Sequence, residues 1–234
     1  MPAMNSLSDR EDTSESPLEL DISALRALKK MPVDIFDGVY VGETKDDALV
    51  LCIDVRNFSN FLCTHDEDTV FHLITEFSSN FLSCVNQFGY SCSYYKLVGD
   101  GALVIWDTFT ETNLEEALVV FHEFSLFLNE YLFSESDMGL AGALVLEKIF
   151  KYEISAEASG LKYRDYVGYG INLACRLQTL AGADELMVNK KLIAKARIPW
   201  VKKDGPAVRT HLEHLKGLQT EDRDRVSMYL WGAS

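Results

Sequence analysis

The sequence predicts a mixed α/β domain in which a strand, a helix, a β-hairpin and a second helix follow one another. An apolar run at 48–53 ends at Asp54, as a buried strand does before a helix. Segment 96–106 contains two apolar runs separated by a Gly-Asp-Gly turn centred on Asp100, which is typical of a β-hairpin. Apolar residues spaced by three and four across 66–88 predict an amphipathic helix.

Further segments continue this pattern on both sides. A strand at 33–41 is expected to end in a turn at 42–44, before the core strand begins at Ala48. Helix 66–88 is expected to place Ile74 and Phe77 on its inward face and to end at Gly89. The other expected segments are helices at 113–132, 171–177 and 190–196 and extended pieces at 138–146, 148–154, 185–188, 207–215 and 226–231.

The length of 234 residues fits one sizeable domain. Residues 1–20 are rich in Ser, Asp and Glu without hydrophobic periodicity, so we expect a disordered acidic tail there. A lead-in helix and strand are expected over 21–45, and the catalytic or binding domain over 46–234.

Composition excludes several classes of protein. A net charge of −14 argues against a nucleic-acid partner and means that an anionic substrate needs metal ions to screen it. No apolar run approaches the roughly twenty residues of a membrane span and the N-terminus has no signal pattern, so we expect a cytoplasmic protein without membrane contact. The five cysteines form no C-x-x-C pair and are interpreted as small buried hydrophobic residues.

Two aspartates are the first candidate site. If the strands before Asp54 and around Asp100 are neighbours in one sheet, their carboxylates converge. Paired carboxylates without cysteine or histidine suit Mg²⁺ or Mn²⁺, which leave coordination positions open for phosphates. The alternative is structural: Asp54 caps the following helix and Asp100 is a turn residue.

A second polar pair lies on the helix predicted at 171–177. Asn172 and Arg176 are four residues apart and therefore share a face different from the apolar one. The pair is either part of a solvent-exposed face or an amide and a guanidinium aimed at an anionic group.

Together these motifs resemble the catalytic domain of class III nucleotide cyclases, the adenylate and guanylate cyclase family, over roughly residues 48–231. Segment 53–59 resembles the first metal motif of the family, and 96–100 resembles the second, with a lysine four residues before the aspartate. Asp165, Asn172 and Arg176 reproduce the spacing of the third motif.

The resemblance implies a ferredoxin-like βαββαβ core, a head-to-tail homodimer with active sites at the interface, and two divalent ions, Mn²⁺ or Mg²⁺. It implies that Asp54, Asp100 and the carbonyl of Val55 hold the metals. The backbone amides of Asn57, Phe58 and Ser59 would bind the triphosphate of the nucleoside triphosphate substrate. The second subunit would supply Lys96 and Asp165 to read the base, and Asn172 and Arg176 for catalysis.

The base remains open between two interpretations. A lysine and an aspartate at the positions of Lys96 and Asp165 read adenine in adenylate cyclases of the family. The overall form resembles the stand-alone bacterial cyclases of the Pycsar antiphage system, which make cyclic UMP or cyclic CMP as a second messenger. We expect a pyrimidine cyclase first and an adenylate cyclase second.

Two hypotheses come from other classes. The fold could serve a non-catalytic nucleotide-binding regulatory module, which would bind nucleotide without turnover. A nucleotidyl transferase with the same core is a further alternative, although the pairing of Asn172 with Arg176 is that of the dimeric cyclases.

Overall fold

The computed structural model describes residues 38–134, 136–156, 161–196, 207–209 and 226–230. The acidic tail expected at 1–20 and most of the lead-in expected at 21–45 lie outside these residues. Among the described residues, none of the helices has the length and apolar character needed to cross a membrane.

The described elements follow the predicted order. Strands β1 to β8 are Gly38–Arg56, Tyr94–Val98, Gly101–Trp106, Gly139–Ala156, Leu161–Val167, Glu185–Asn189, Ala207–Arg209 and Val226–Leu230. Helices α1 to α5 are Phe58–Thr64, Glu67–Phe88, Glu111–Phe127, Tyr169–Gln178 and Lys190–Lys195, and a π-helical turn, Leu128–Leu132, extends α3.

The first four strands form the ferredoxin-like arrangement that was predicted. They lie side by side in the order β2-β3-β1-β4, and each is antiparallel to its neighbour. Helices α2 and α3 connect them and pack together on one face of the sheet. Strand β6 adds in parallel to β4, followed by β8 and β7, while β5 pairs with β4 away from this path.

Both faces of the central strands are buried. Because successive residues of a strand point to opposite faces, Leu49, Leu51 and Ile53 pack against α2 and α3, whereas Ala48 and Val50 face α4. The same alternation puts Cys52 and Asp54 on the α4 face, where the sheet is only partly covered. The position of the first candidate carboxylate therefore follows from the strand period.

The prediction of a turn at 42–44 is wrong. Strand β1 continues through Gly42 with two register irregularities, because β4 is nearly as long and pairs with it from Gly38 to Arg56. The two pieces expected at 138–146 and 148–154 are likewise one strand, β4. Strand β5 was not predicted as a strand, although it carries Asp165 of the third motif.

Helix α2 matches its predicted bounds, and Asp66 caps it by accepting a hydrogen bond from the amide of Thr69. Its inward face is rotated slightly from the expected one. Leu73 and Phe77 are buried, whereas Ile74 is 40% exposed. Packing against α3 therefore determines which face of α2 is buried, and the spacing of apolar residues predicted that face only approximately.

The Gly101→Ala variant should be less stable than wild type by about 1–3 kcal/mol, the usual cost of inserting a methyl group into a packed site. A Cβ at Gly101 would clash with the carbonyl oxygen of Ile53 on the neighbouring strand. The matched control is Gly42→Ala, because a Cβ at Gly42 meets nothing within 4 Å. Chemical denaturation measures both, and equal midpoints for the two variants would contradict the close approach.

Candidate active site

Asp54 and Asp100 meet where β1 and the β2–β3 turn come together. Asp54 pairs in register with Gly101, and the amide of Val55 donates to the carbonyl of Asp100 at 3.2 Å. Gly99 completes the turn with φ 63°, a conformation that glycine adopts readily. Burial and, second, the negative charge of Asp100 raise the pKa of Asp54. The structure thus places the two predicted carboxylates close enough for the charge of Asp100 to raise the pKa of Asp54.

Two residues that the sequence analysis missed hold Asp54. Arg56 Nη1 and Gln178 Nε2 each donate to Asp54 Oδ2 at 3.0 Å. Arg56 is itself held by the carbonyls of Gln178 and Ala181, at the C-terminal end of α4 and just beyond it. Asp54 Oδ1 accepts no hydrogen bond from the described residues, so one oxygen of this carboxylate is open to a ligand.

The donor set at this point fits divalent cations. The two carboxylates supply oxygen ligands, and the repulsion between them is the kind that a bound dication relieves. No cluster of three or more His, Cys, Asp and Glu side chains suited to a metal occurs in the part of the chain that the structure describes. Ions held here would therefore depend on phosphate oxygens for part of their coordination.

Lys96 and Asp165 form an ion pair between β2 and β5. Lys96 Nζ donates to Asp165 Oδ2 at 2.7 Å and to Oδ1 at 3.0 Å. The hydroxyl of Tyr163 and the amide of Tyr166 also donate to this carboxylate, each at 2.8 Å. Asp165 is only 6% exposed, whereas the Lys96 side chain is 38% exposed and reaches the adjacent groove.

Burial by itself would raise the pKa of Asp165. The hydrogen bonds from Lys96, Tyr163 and the amide of Tyr166 act in the opposite direction and outweigh it, so the net pKa is lowered. This carboxylate is therefore ionised and firmly positioned at neutral pH.

Asn172 and Arg176 lie on α4, which follows β5 after Gly168. Asn172 is exposed and Arg176 is half-buried. Neither side chain forms a hydrogen bond or ion pair with another residue in the described ranges. An amide and a guanidinium one turn apart are therefore available to an external group.

Asn57 turns the chain from β1 into α1. It has φ 63°, in the left-handed region that asparagine tolerates, and its side-chain amide donates to the carbonyl of Asp137 at 2.8 Å. Phe58 and Ser59 form the first turn of α1, where backbone amides have no acceptor within the helix. The structure places all three residues directly after the Asp54 strand.

A groove of about 330 Å³ lies between the uncovered face of the sheet and α4. Its lining includes Cys52 and Asp54 from β1, Lys96 and Val98 from β2, and Ile171, Cys175 and Gln178 from α4. The three α4 residues share one helix face because they are spaced by four and three. The groove connects the Asp54 carboxylate with the Lys96 ammonium.

The prediction that the cysteines are mostly buried is wrong. Of the five, only Cys84 is buried, while Cys63 and Cys175 are exposed and Cys52 and Cys92 are half-buried. Apolar neighbours in sequence suggested burial, but a groove lies between α4 and this part of the sheet, and Cys52 and Cys175 both line it.

The Asp165→Asn variant should lose about 1–3 kcal/mol of stability at neutral pH, the usual cost of leaving a buried partner unsatisfied. Because the folded-state pKa is lowered, this contribution is complete above the unfolded-state pKa of about 3.9 and disappears as the pH falls through the folded-state value. Denaturation of wild type and variant from pH 7 downward should show the gap closing below about pH 4.

The control is Glu153→Gln, which removes an exposed carboxylate paired with Arg164 and should change stability little. A gap between wild type and Asp165→Asn that stays constant with pH would contradict the assigned ionisation.

Comparison with solved structures relates this geometry to known folds. No protein-family model and no curated protein matches the sequence. The adenylyl cyclase CyaB from P. aeruginosa is 16% identical, with a TM-score of 0.60 over 82% of this chain and 97% of that one.

Two further solved structures agree with this result. The catalytic core of a rhodopsin-guanylyl cyclase with converted specificity, in complex with ATPalphaS, is 13% identical, with a TM-score of 0.63 over 82% of this chain and 97% of that one. The guanylyl cyclase Cya2 is 16% identical, with a TM-score of 0.57 over 80% of this chain and 91% of that one. The predicted fold is confirmed: the chain has the fold of adenylyl and guanylyl cyclase catalytic domains.

Proposed function

We propose that this protein is a nucleotide cyclase, which converts a nucleoside triphosphate to a 3′,5′-cyclic nucleotide and pyrophosphate. The observation that carries the proposal is the convergence of Asp54 and Asp100 beside an open groove, in a fold shared with nucleotide cyclase domains.

Asp54, Asp100 and the carbonyl of Val55 hold two divalent ions, Mg²⁺ or Mn²⁺. When bound, these ions screen the triphosphate and lower the pKa of the ribose 3′-hydroxyl. The 3′-oxygen forms a bond to the α-phosphorus as the bond to the β-phosphate oxygen breaks. The proton leaves to solvent and pyrophosphate departs.

Other residues orient the substrate and stabilise the charge that develops. Arg176 donates to the α-phosphate, and Asn172 hydrogen-bonds to the ribose. The backbone amides of Asn57, Phe58 and Ser59 receive the β- and γ-phosphates. These roles fit the positions of Asn172 and Arg176, whose side chains are open to an external group.

The active assembly is a head-to-tail homodimer in which Asp54 and Asp100 of one copy act with Lys96, Asp165, Asn172 and Arg176 of the other. Support comes from exposed apolar side chains: Val98, which lines the groove, is 56% exposed, and Val167 and Tyr163 of β5 are 47% and 45% exposed. A second copy would cover this surface, since exposed apolar patches mark interaction sites. One chain carries the full set, so a symmetric dimer has two complete sites.

The preferred substrate base in this proposal is a pyrimidine. Lys96 reaches the groove and has three donors, which suit a base acceptor such as a uracil carbonyl or the ring nitrogen of cytosine. Asp165 lies behind it, already accepting from Lys96, Tyr163 and Tyr166. Tyr166 lines the groove together with Lys96, and we infer that this aromatic wall suits a one-ring base.

Adenine is the second candidate. Its ring nitrogen accepts and its amino group donates, a pattern that a lysine and an aspartate can read together. The ion pair of Lys96 with Asp165 is the observation that favours it.

The cyclic nucleotide would act as a second messenger. The resemblance to Pycsar cyclases supports a cytoplasmic role for this messenger in antiphage defence.

Asp54→Asn and Asp100→Asn should each lower the cyclase rate by at least about a hundredfold, because each removes a charged ligand of the ions that carry the chemistry. The matched control is Asp68→Asn in the exposed first turn of α2, which should retain wild-type activity. Pyrophosphate release in the presence of Mn²⁺ measures the rate. Full activity of both the Asp54→Asn and the Asp100→Asn variant would refute the metal assignment.

Incubation of the purified protein with ATP, GTP, CTP and UTP separately, followed by mass identification of products, tests the base. A cyclic pyrimidine nucleotide is expected. A cyclic AMP product would mean that the preferred substrate base is adenine and not a pyrimidine. Nucleotide binding without turnover, whichever divalent metal is added, would indicate a regulatory module instead.

A further inference from the structure

Two sulfur atoms lie in contact with each other in the lining of the groove. Cys52 Sγ donates to Cys175 Sγ at 3.5 Å, although the residues are 123 positions apart in sequence. Cys52 is on β1, two residues before Asp54, and Cys175 is on α4, directly before Arg176. The cyclase chemistry proposed above does not use either thiol.

We propose that Cys52 and Cys175 are a reversible redox pair, which peroxide converts to a disulfide that ties α4 to β1. A disulfide has an S–S length of about 2.05 Å, so the two sulfur atoms need to approach by about 1.5 Å. Helix α4 packs directly on β1, and both thiols border open space in the groove. The approach therefore needs a local shift of α4 against β1 rather than a new fold.

The reaction begins at Cys175, which is exposed, whereas Cys52 is half-buried. The Cys175 sulfur attacks one oxygen of hydrogen peroxide, the O–O bond breaks, and a sulfenic acid and one water form. The Cys52 sulfur then attacks the Cys175 sulfur and a second water leaves. Overall, two thiols lose two electrons and two protons, and one peroxide becomes two waters. A dithiol reductant reverses the bond by exchange.

The remaining cysteines lack this arrangement. Cys63 is exposed on α1, and Cys84 is buried and donates to the carbonyl of Val120. Among the described residues, Cys52 and Cys175 are the only two cysteines whose sulfur atoms contact each other. Exposure of one thiol next to a resolving partner is the usual arrangement of a reversible redox site.

The disulfide would affect both halves of the proposed active site. It lies between the strand that carries Asp54 and the helix turn that carries Arg176, so it alters their spacing. In the proposed dimer these two residues of one chain serve different sites. One bond would therefore disturb two sites, and this consequence rests on the proposed function whereas the bond itself does not.

The test uses the full chain, reduced and then treated with hydrogen peroxide. Intact mass should fall by about 2 Da, and two fewer cysteines should react with iodoacetamide. Peptide mapping should find Cys52 joined to Cys175, and dithiothreitol should restore both thiols. Cys63→Ser should behave like wild type, whereas Cys52→Ser and Cys175→Ser should form no such bond.

Three results of the chemical test would overturn the proposal. They are continued alkylation of both thiols after peroxide, conversion of Cys175 to higher oxides without a cross-link, and a disulfide between two chains on a non-reducing gel.

Activity is measured in the same samples. Oxidation should lower the cyclase rate of wild type by at least about tenfold, because small displacements of catalytic groups are costly. Dithiothreitol should restore it, and Cys175→Ser should be insensitive to the same treatment. Disulfide formation with unchanged activity would overturn the proposed effect of the bond on the cyclase rate. If the protein has no cyclase activity, the mass measurement still shows whether the bond forms.

Discussion

The candidate site depends on the pairing of β1 with β3 in one register. That register sets Asp54 opposite Gly101 and joins the amide of Val55 to the carbonyl of Asp100. Gly101 permits it, because a side chain there would enter the space of the Ile53 carbonyl. A slip of one residue would move Asp54 to the face packed by α2 and α3. Backbone pairing therefore determines whether the two carboxylates can act together.

Opposing electrostatic effects act on Asp54 at this junction, and the net effect raises its pKa. Burial and the charge of Asp100 disfavour the ionised form of Asp54, while Gln178 and Arg56 favour it. Both stabilising groups come from, or are held by, the C-terminal part of α4. The helix that presents Asn172 and Arg176 is thus coupled to the carboxylate of β1, and Cys175 belongs to the same contact. A change in the position of α4 would therefore alter the hydrogen bonds that Asp54 accepts from Gln178 and Arg56.

The sequence patterns predicted those elements whose structure depends on residues close together in the chain. The spacing of apolar residues gave helix α2, and the Gly-Asp-Gly turn gave the hairpin. Strand β1 was not expected to pass through Gly42, Asp46 and Asp47, because only its pairing with distant β4 makes them extended. The contact of Lys96 with Asp165 and the hold of Gln178 on Asp54 join residues far apart in sequence. Family resemblance suggested the first pair, and no sequence signal indicated the second.

Subunit complementation tests the central claim most directly, because a site shared between copies requires Asp100 of one chain and Arg176 of the other. Asp100→Asn and Arg176→Ala should each be inactive alone. Mixed under conditions that exchange subunits, they should recover about a quarter of wild-type cyclase activity, since half the dimers are mixed and each has one intact site. Mixtures that stay inactive although mixed dimers form, while wild type turns over substrate, would contradict the shared site.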